Sequence, residues 1–541
     1  MSNLAREPQN RSVRDGVQGE NASWGEYETS LQGRFEERFT LPRLLEEQAD
    51  LRGSQVCLIC ECEGGESLSY TYADLLDRAG RAATVFRDCG VKAGDRVHVH
   101  LGNRVEFLDC WLGAAISGAL IVPTGPGSAP DEVTYVVDHS QPVVSVAAGK
   151  STPLLRGFRG SLKALIDVDD GDWLAGTDPS FDMTRIEPQS PLAIMYTSGT
   201  TSRPKGVIVT HANYGHVGEV MAQNLRMTPD DRWLVSLPLF HANAQYYCFM
   251  SAFMTGASVA LMPRFSASKW GSQAVRHGAT LSSLFAAPIR MILAKEENLQ
   301  SRPETLRTTI YAQNLTTREI ERFETAFGTL LLQLYGMTET IAPPIMNSLF
   351  RRKRPDGIGR PCLGVKVAVV DETGREVEQG GVGELRVFGE PGVTLMKGYW
   401  ADPEATVSTL VDGNWLSTGD QVTVDEEGFY VFVDRSKDMV KRSGENVALS
   451  EVERVILDCP GVREVAVIGQ PDRMYDARIH AFVVAEGHSA LTEEMIMSWC
   501  RERLAKFKVP DAVTFLPSLP RTAVGKVQKR SLVGVDDVPQ A

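Results

Sequence analysis

No stretch of this 541-residue chain strings together the ~18 apolar residues that a membrane-crossing helix needs, so no membrane span is expected. Positive charge is also short. Lys and Arg total 56 against 69 Asp and Glu, for a formal net charge of −13. That balance argues against nucleic acid or an anionic membrane surface as the main partner. An anionic ligand must be drawn in by local charge and backbone dipoles. Cysteine is thin and scattered, at nine positions (57, 60, 62, 89, 110, 248, 362, 459 and 500). Cys57, Cys60 and Cys62 are close enough to suggest a metal site. However, Cys57-Leu58-Ile59-Cys60 reads as a buried strand, and no second Cys/His pair lies nearby to complete a tetrahedron. Reduced cysteines in a cytoplasmic enzyme fit best. Residues 1–30 are polar and lack an apolar run, which reads as a disordered leader and not a signal peptide. The ending Val-Pro-Gln-Ala is not a Ser-Lys-Leu peroxisomal address.

The remaining composition, 43% hydrophobic and 23% charged, is that of an ordinary globular protein too long for one core. From Leu41 to Gly364, strand-like runs alternate with longer amphipathic segments. Arg96 to His100, Ala119 to Pro123, Trp233 to Leu237 and Leu330 to Leu334 are examples. This predicts layered α/β architecture, parallel sheets covered by helices. Near Asp371-Glu372-Thr373-Gly374 the character changes, with short strands (Val365 to Val370, Gly383 to Val387) between Gly-rich turns, a small β-rich subdomain. A compact α+β unit follows. Ser450 is expected to cap a helix through Leu457, Val465 to Ile468 and Ala481 to Val484 to form strands, and Thr492 to cap a helix to about Leu504. The charged segment Val433 to Asp438 between two strand-like stretches is either a solvated turn or a hinge.

The densest chemistry is Tyr196-Thr197-Ser198-Gly199-Thr200-Thr201-Ser202-Arg203-Pro204-Lys205-Gly206, between the apolar runs Leu192 to Met195 and Val207 to Val209. It reads as strand, loop, strand. Glycines let successive N–H groups point into one concavity, hydroxyls add donors, and Lys205 adds a compact positive charge. Those are parts for a polyphosphate. The spacing from Gly199 to Lys205-Gly206 fails the Walker pattern.

This loop resembles the phosphate-binding motif of the adenylate-forming superfamily, which includes acyl-CoA synthetases, luciferases and peptide-synthetase adenylation domains. The resemblance spans roughly Leu41 to Lys529. Thr-Ser-Arg-Pro-Lys-Gly, Gly-Met-Thr-Glu-Thr-Ile and Ala505-Lys506-Phe507-Lys508-Val509-Pro510 look most like crotonobetaine/carnitine–CoA ligases, and actinomycete ligases for terpenoid acids are also similar. The resemblance implies a large N-terminal domain (31–434) and a small mobile C-terminal lid (435–541) that meet at the hinge. It also implies an ATP-dependent acyl-CoA ligase that uses ATP, Mg²⁺ and coenzyme A.

The resemblance places Thr197, Ser198, Gly199, Thr200, Thr201 and Lys205 on the phosphates. In Tyr335-Gly336-Met337-Thr338-Glu339-Thr340, it gives Glu339 to Mg²⁺, Thr338 to the α-phosphate and the Tyr335 face to adenine, with Gly336 beside it. Trp415-Leu416-Ser417-Thr418-Gly419-Asp420 reads as a turn ending in a carboxylate, and the resemblance has Asp420 grip the ribose, assisted by Arg435, where the bland reading is a solvated turn Asp. Lys526, in Pro520 to Lys526, would bridge carboxylate and α-phosphate. Lys437 takes the hinge position, and Arg442, Ser443 and Gly444 form the loop past which the pantetheine thiol travels. Pro238-Leu239-Phe240-His241 resembles the aromatic gate between acyl pocket and thiol tunnel. No acidic residue stands there to pair an α-ammonium, against a peptide-synthetase substrate. Ala286, Ala287, Ala312 and Gly336 are small at pocket-lining positions, which favours a bulky, apolar carboxylic acid. Arg351-Arg352-Lys353-Arg354 is either a solvated face or a hold on the CoA 3′-phosphate. A homodimer is one option for assembly.

The clearest departure is Tyr311-Ala312-Gln313-Asn314-Leu315, where most of the family carries a Gly/Ser-Gly-Ala-Pro-like turn against adenine. The alternative it motivates is a thioesterification-only enzyme fed with preformed acyl-adenylate.

Overall fold

β-Branched runs with no polar alternation must be buried on both faces, and the chain satisfies this by stacking helices around parallel sheets. The computed structural model describes residues 38–157, 162–181, 186–197, 204–350, 354, 357–435, 439–442, 445–472, 476–487, 491–521 and 527–533. A nine-stranded sheet has a parallel centre in the order Leu330–Tyr335, Thr308–Ala312, Leu281–Phe285, Arg232–Val235, Ser258–Leu261, Val56–Glu61. Short antiparallel strands close both edges. A seven-stranded sheet runs Gly398–Tyr399, Lys205–Thr210, Pro191–Thr197, Leu120–Thr124, Arg96–His100, Val144–Ala147, Ala164–Asp167. A five-stranded antiparallel sheet includes Lys366–Val370, Val382–Phe388, Trp415–Val424 and Tyr430–Arg435, and is the expected β-rich subdomain.

Two helices show how local sequence fixes the layers. Thr71 and Asp74 make a capping box that starts Tyr72–Asp88. That helix packs on Val105–Ile116 at Gly113, where a Cβ would stand 2.6 Å from the Ala82 methyl. The contact therefore requires glycine. Trp111, fully buried on the second helix, meets Tyr214, Phe249 and Phe253 in the largest core. Burying each such aromatic contributes about 1.5–3 kcal/mol.

The C-terminal stretch is α+β as expected, with Val462–Asp472, Asp476–Ala485 and Ala512–Phe515 in one sheet. Both long strands outrun the runs seen in the sequence. Thr492 does cap Glu493–Arg503, accepting from the Met495 N–H. Ser450 does not cap its helix. Helix Leu449–Leu457 starts after Ala448, and the Ser450 hydroxyl donates instead to the Val433 carbonyl. A serine in the first turn has a backbone acceptor within reach on strand Tyr430–Arg435, and that bond wins.

Strand Arg96–His100 carries an unforeseen polar core. His98 is fully buried, with Nδ1 2.8 Å from Ser145 Oγ and Nε2 2.8 Å from Thr124 Oγ1. His100 Nδ1 shares the same Thr124 hydroxyl at 2.7 Å. Burial lowers the pKa values to about 3 for His98, helped by the neighbouring His100, and about 4 for His100. Below the ordinary value of 6.5, the unfolded chain therefore takes up protons that the folded one refuses. The stability that neutral rings contribute is whole above that pH and declines as pH falls towards the folded values. We expect urea-unfolding free energy to drop below pH 6.5 by roughly 1.4 kcal/mol per pH unit for each ring. His98→Gln should make that acid limb shallower, and an unchanged slope would show that the pair is not responsible.

Candidate active site

The two strands around the Ser/Thr/Gly loop form the expected antiparallel pair, with Thr197 opposite Lys205. Ser198, Gly199, Thr200 and Thr201 lie outside the described residues. Gly206 must be glycine, since a Cβ there would sit 2.6 Å from Ile194 Cγ2. On the other side of Lys205–Thr210 runs Gly398–Tyr399, pairing Tyr399 with Val207 and Gly398 with Ile208. This register puts the Lys205 ammonium over the Tyr399 ring, 4.9 Å from its centroid.

Tyr399 then reaches the second motif. Its hydroxyl donates to Glu339 Oε1 at 2.9 Å. Glu339 is buried in the short turn Thr338–Thr340, which follows strand Leu330–Tyr335 at its carboxyl end. The turn is pinned by Thr340 Oγ1, which accepts from the Met337 N–H, and by the Glu339 carbonyl, which accepts from the Met396 N–H. It exits through Ile341 at φ 62°, ψ −78° and fully buried, a strained place for a β-branched residue. Among the described residues no group of three or more His, Cys, Asp or Glu can cage a metal. A single backed carboxylate fits Mg²⁺, which takes one or two protein carboxylates and completes its shell with phosphate oxygens and water.

Tyr335 is largely buried. Its hydroxyl donates to Asp420 Oδ2 at 2.6 Å, and its ring packs with Ile345, Ile358, Leu385 and Val422. Asp420 does not end a turn. It lies within strand Trp415–Val424, is 4% exposed, and stands opposite Arg435 in the register with Tyr430–Arg435. A solvated carboxylate is thereby excluded. The turn at 312–314 follows strand Thr308–Ala312, so it too lies at a carboxyl edge. Gln313 adopts φ 76°, in the left-handed region where glycine is usual. The turn is nevertheless held. Gln333 Nε2 donates to the Gln313 carbonyl and to Asn314 Oδ1, both at 3.1 Å, and Arg290 donates to the Asn314 carbonyl at 2.8 Å.

The Phe240 and His241 rings, expected to form the gate, lie 4.6 Å apart between centroids and are tilted by 50°. Phe240 leans on Gly125, where a Cβ would meet its ring at 2.4 Å. Asn103 fixes the turn before it, donating to the Leu237 and Met262 carbonyls and accepting from the Leu239 N–H at 2.8 Å. After it comes a π-helical turn, Ala244–Phe249, a form that recurs at functional sites. Its Tyr247 hydroxyl lies 3.0 Å from where a Gly336 Cβ would be, so the glycine admits the tyrosine. Ala286 does not line a pocket, because its methyl is buried in the second hydrophobic core. Ala287 and Ala312 stay half-exposed.

The structure gives Arg442 an anchoring bond set, to the Phe507 and Val509 carbonyls and Asp511. Arg354 pairs with Asp425, while Arg351 to Lys353 lie outside the described residues. So do Lys437, Ser443, Gly444 and Lys526, and nothing is described of the Arg435 side chain. Sequence reading missed Tyr399, Asn103 and Tyr247. The only signal for Tyr399 was an aromatic pair after a glycine, Gly398-Tyr399-Trp400.

Segments far apart in sequence thus meet, Lys205 with Tyr399, Tyr399 with the buried Glu339, and Tyr335 with the buried Asp420. Residues 45–400 match the AMP-binding enzyme family, and residues 451–526 match the AMP-binding enzyme C-terminal domain. The chain belongs to the AMP-binding enzymes. It is 35% identical over 511 residues to a crotonobetaine/carnitine–CoA ligase of Proteus mirabilis (strain HI4320), covering 91% of this chain and 98% of the relative. The fold is similar to that of the anthranilate CoA ligase AuaEII in complex with anthranoyl-AMP. That likeness has TM-score 0.84 and 25% identity, over 91% of this chain and 96% of that one. It is also similar to ATP-bound MatB from Rhodopseudomonas palustris, with TM-score 0.82 and 29% identity, over 91% and 98%.

In this AMP-binding enzyme the Tyr335–Asp420 bond is open to a direct check. Tyr335→Phe leaves the buried Asp420 carboxylate short of a charge-assisted bond worth about 1.5–3 kcal/mol. We expect the KM for ATP in pyrophosphate exchange to rise by about 10- to 100-fold. An unchanged KM would mean that this bond does not prepare Asp420 for the nucleotide.

Proposed function

We propose that this chain is an ATP-dependent acyl-CoA ligase whose two half-reactions share the site built around Lys205, Glu339 and Asp420. The observation that carries this reading is the Lys205–Tyr399–Glu339 arrangement, a cation and a buried carboxylate fixed on one aromatic ring. The reaction sets two anions against each other at the α-phosphorus, so the site must neutralise both and hold them in line. A carboxylate oxygen attacks the α-phosphorus of ATP, the bond to pyrophosphate breaks, and acyl-AMP results. A CoA thiolate then attacks the acyl carbon, and AMP leaves as the thioester forms.

Lys205 and the loop Thr197 to Thr201 take the leaving pyrophosphate. Thr338 donates to the α-phosphate, and Asp420 accepts from the ribose hydroxyls with Arg435 beside it. The turn Ala312-Gln313-Asn314 lies against adenine, with Tyr335 and Gly336 at its other side. Glu339 would hold Mg²⁺, which when bound would supply charge to offset the phosphates and polarise the α-phosphorus. Lys526 supplies the charge that bridges carboxylate and phosphate. Phe240 and His241 gate the thiol path, and the loop with Arg442, Ser443 and Gly444 serves CoA after the small domain swings about Lys437, with the boundary near 435. Arg442 keeps its anchoring bonds in that role and shapes the loop.

The substrate is a carboxylic acid. We favour a bulky, apolar one on the small residues at Ala287, Ala312 and Gly336, although Ala286 no longer supports it. Among the described residues no helix is long and apolar enough to cross a membrane. A cytoplasmic enzyme is the reading that its free cysteines favour.

The test is mass-spectrometric. ATP, Mg²⁺ and a panel of betaine-type, aryl, fatty and polycyclic acids are supplied with and without CoA, and acyl-AMP and acyl-CoA are scored separately. We expect acyl-AMP without CoA and thioester with it. Lys526→Ala should lower acyl-AMP formation by about 10²–10³-fold. Thioester from supplied acyl-adenylate alone, across the whole panel, would replace the two-step reading with thioesterification only.

A further inference from the structure

The segment that carries Tyr399 is fixed before any ligand arrives. The Tyr399 N–H donates to Thr406 Oγ1 at 2.9 Å, and the flanking Lys397 and Trp400 N–H groups bond the Ile208 and Gly206 carbonyls at 3.0 and 2.7 Å. Gly398, at φ 147°, brings the chain against Thr406, where a Cβ would meet its methyl at 2.9 Å. The phenol therefore has no freedom to choose its partners. Its ring face lies under the Lys205 ammonium, and its one proton goes to Glu339 Oε1.

We propose that Tyr399 is a positioning residue for the metal side of adenylation: its hydroxyl orients the Glu339 carboxylate that would hold the metal, and its ring holds the Lys205 ammonium in place. This rests on the reading of Glu339 as the metal-holding carboxylate. A ligating carboxylate loses orientational freedom each time it binds a metal, and a phenol that donates to one of its oxygens has already removed part of that freedom. Partners of this kind change metal affinity by about 10- to 100-fold when removed.

The full-length enzyme is titrated with Mn²⁺, followed by electron paramagnetic resonance, in the presence of a non-hydrolysable ATP analogue. Calorimetry gives the affinity for the metal-free analogue. Tyr399→Phe keeps the ring and loses the hydroxyl. It should weaken Mn²⁺ binding about tenfold or more and leave metal-free analogue binding unchanged. Tyr399→Leu should weaken both, because Lys205 also loses its ring. Placing 4-aminophenylalanine at position 399 returns an N–H donor and should restore much of the metal affinity, which a packing defect would not allow. Restoration keeps the test valid even where Tyr399→Phe lowers the unfolding midpoint.

Mn²⁺ affinity within about twofold of wild type in Tyr399→Phe overturns the inference. Glu339→Gln separates the two layers. If it weakens Mn²⁺ binding and Tyr399→Phe does not, only the role of Tyr399 falls. If Glu339→Gln itself leaves Mn²⁺ binding unchanged, the metal-holding role of Glu339 falls and takes this inference with it.

Discussion

The pairing of Gly398–Tyr399 with Lys205–Thr210 is the constraint on which the site's geometry depends. It is a two-residue strand, yet it joins a phosphate-side cation in the seven-stranded sheet to a buried carboxylate at the end of the nine-stranded one. The chain around it is tied down repeatedly. The Thr210 hydroxyl donates to the Gly392 carbonyl, and Asn213 donates to the Val393 and Leu395 carbonyls at 2.7 and 2.8 Å. The Met396 N–H reaches the Glu339 carbonyl. Residues 390–400 act as a strap across two sheets, and no part of the strap is chosen for its own secondary-structure propensity. Its position follows from satisfying buried backbone groups.

That constraint explains which features of the site were legible in the sequence. The strands on either side of the Ser/Thr/Gly loop, the strand and turn of the Tyr-Gly-Met-Thr-Glu-Thr string and the layered α/β order could be read because each is local. Cys57 to Cys60 was readable as a strand for the same reason, and it pairs inside the sheet as Val56–Glu61. Tyr399 was not readable, because its partners lie at positions 205 and 339 and only a short antiparallel pairing brings them together. Asp420 looked like a turn residue because Gly419 precedes it, and Gly419 does take φ 70°. That kink lies inside a strand, at the register irregularity opposite Glu384 and Arg386, where local signals for a bulge and for a turn coincide. Ala286 failed differently. Smallness marks a residue that leaves room, but the same smallness suits a helix start packed in a core, and sequence alone does not separate the two.

The polar groups buried away from the reacting centre follow one logic. His98 and His100 share the Thr124 hydroxyl, and Thr124 leads directly into Gly125, on which Phe240 rests. Asn103, just beyond the same strand, spans to Leu237, Leu239 and Met262. Thus two adjacent strand ends of the seven-stranded sheet define the Phe240-His241 turn that follows Arg232–Val235 of the nine-stranded sheet. An apolar substitution at Asn103 would leave two carbonyls and an N–H without that partner, so the side chain is required by accounting and not by packing. The Phe240-His241 turn is thus positioned from behind, by groups on the neighbouring sheet.

The chain's overall charge sharpens this argument. At −13, the protein as a whole repels the polyanion it must bind, so affinity has to come from a few cations whose placement is exact enough to outweigh the background. A lysine on a free side chain is poorly suited to this, since it loses rotamer freedom when it engages phosphate. Lys205 is spared part of that loss, because the Tyr399 ring already holds its ammonium. Glu339 would worsen the repulsion if its charge stood open towards the phosphates. Burial behind the Tyr399 hydroxyl fixes it, so that in the proposed role the carboxylate would serve a bound cation before it opposed an anion. An acidic enzyme can therefore handle a nucleotide triphosphate when cation and carboxylate are fixed as a pair, and here a single tyrosine fixes both.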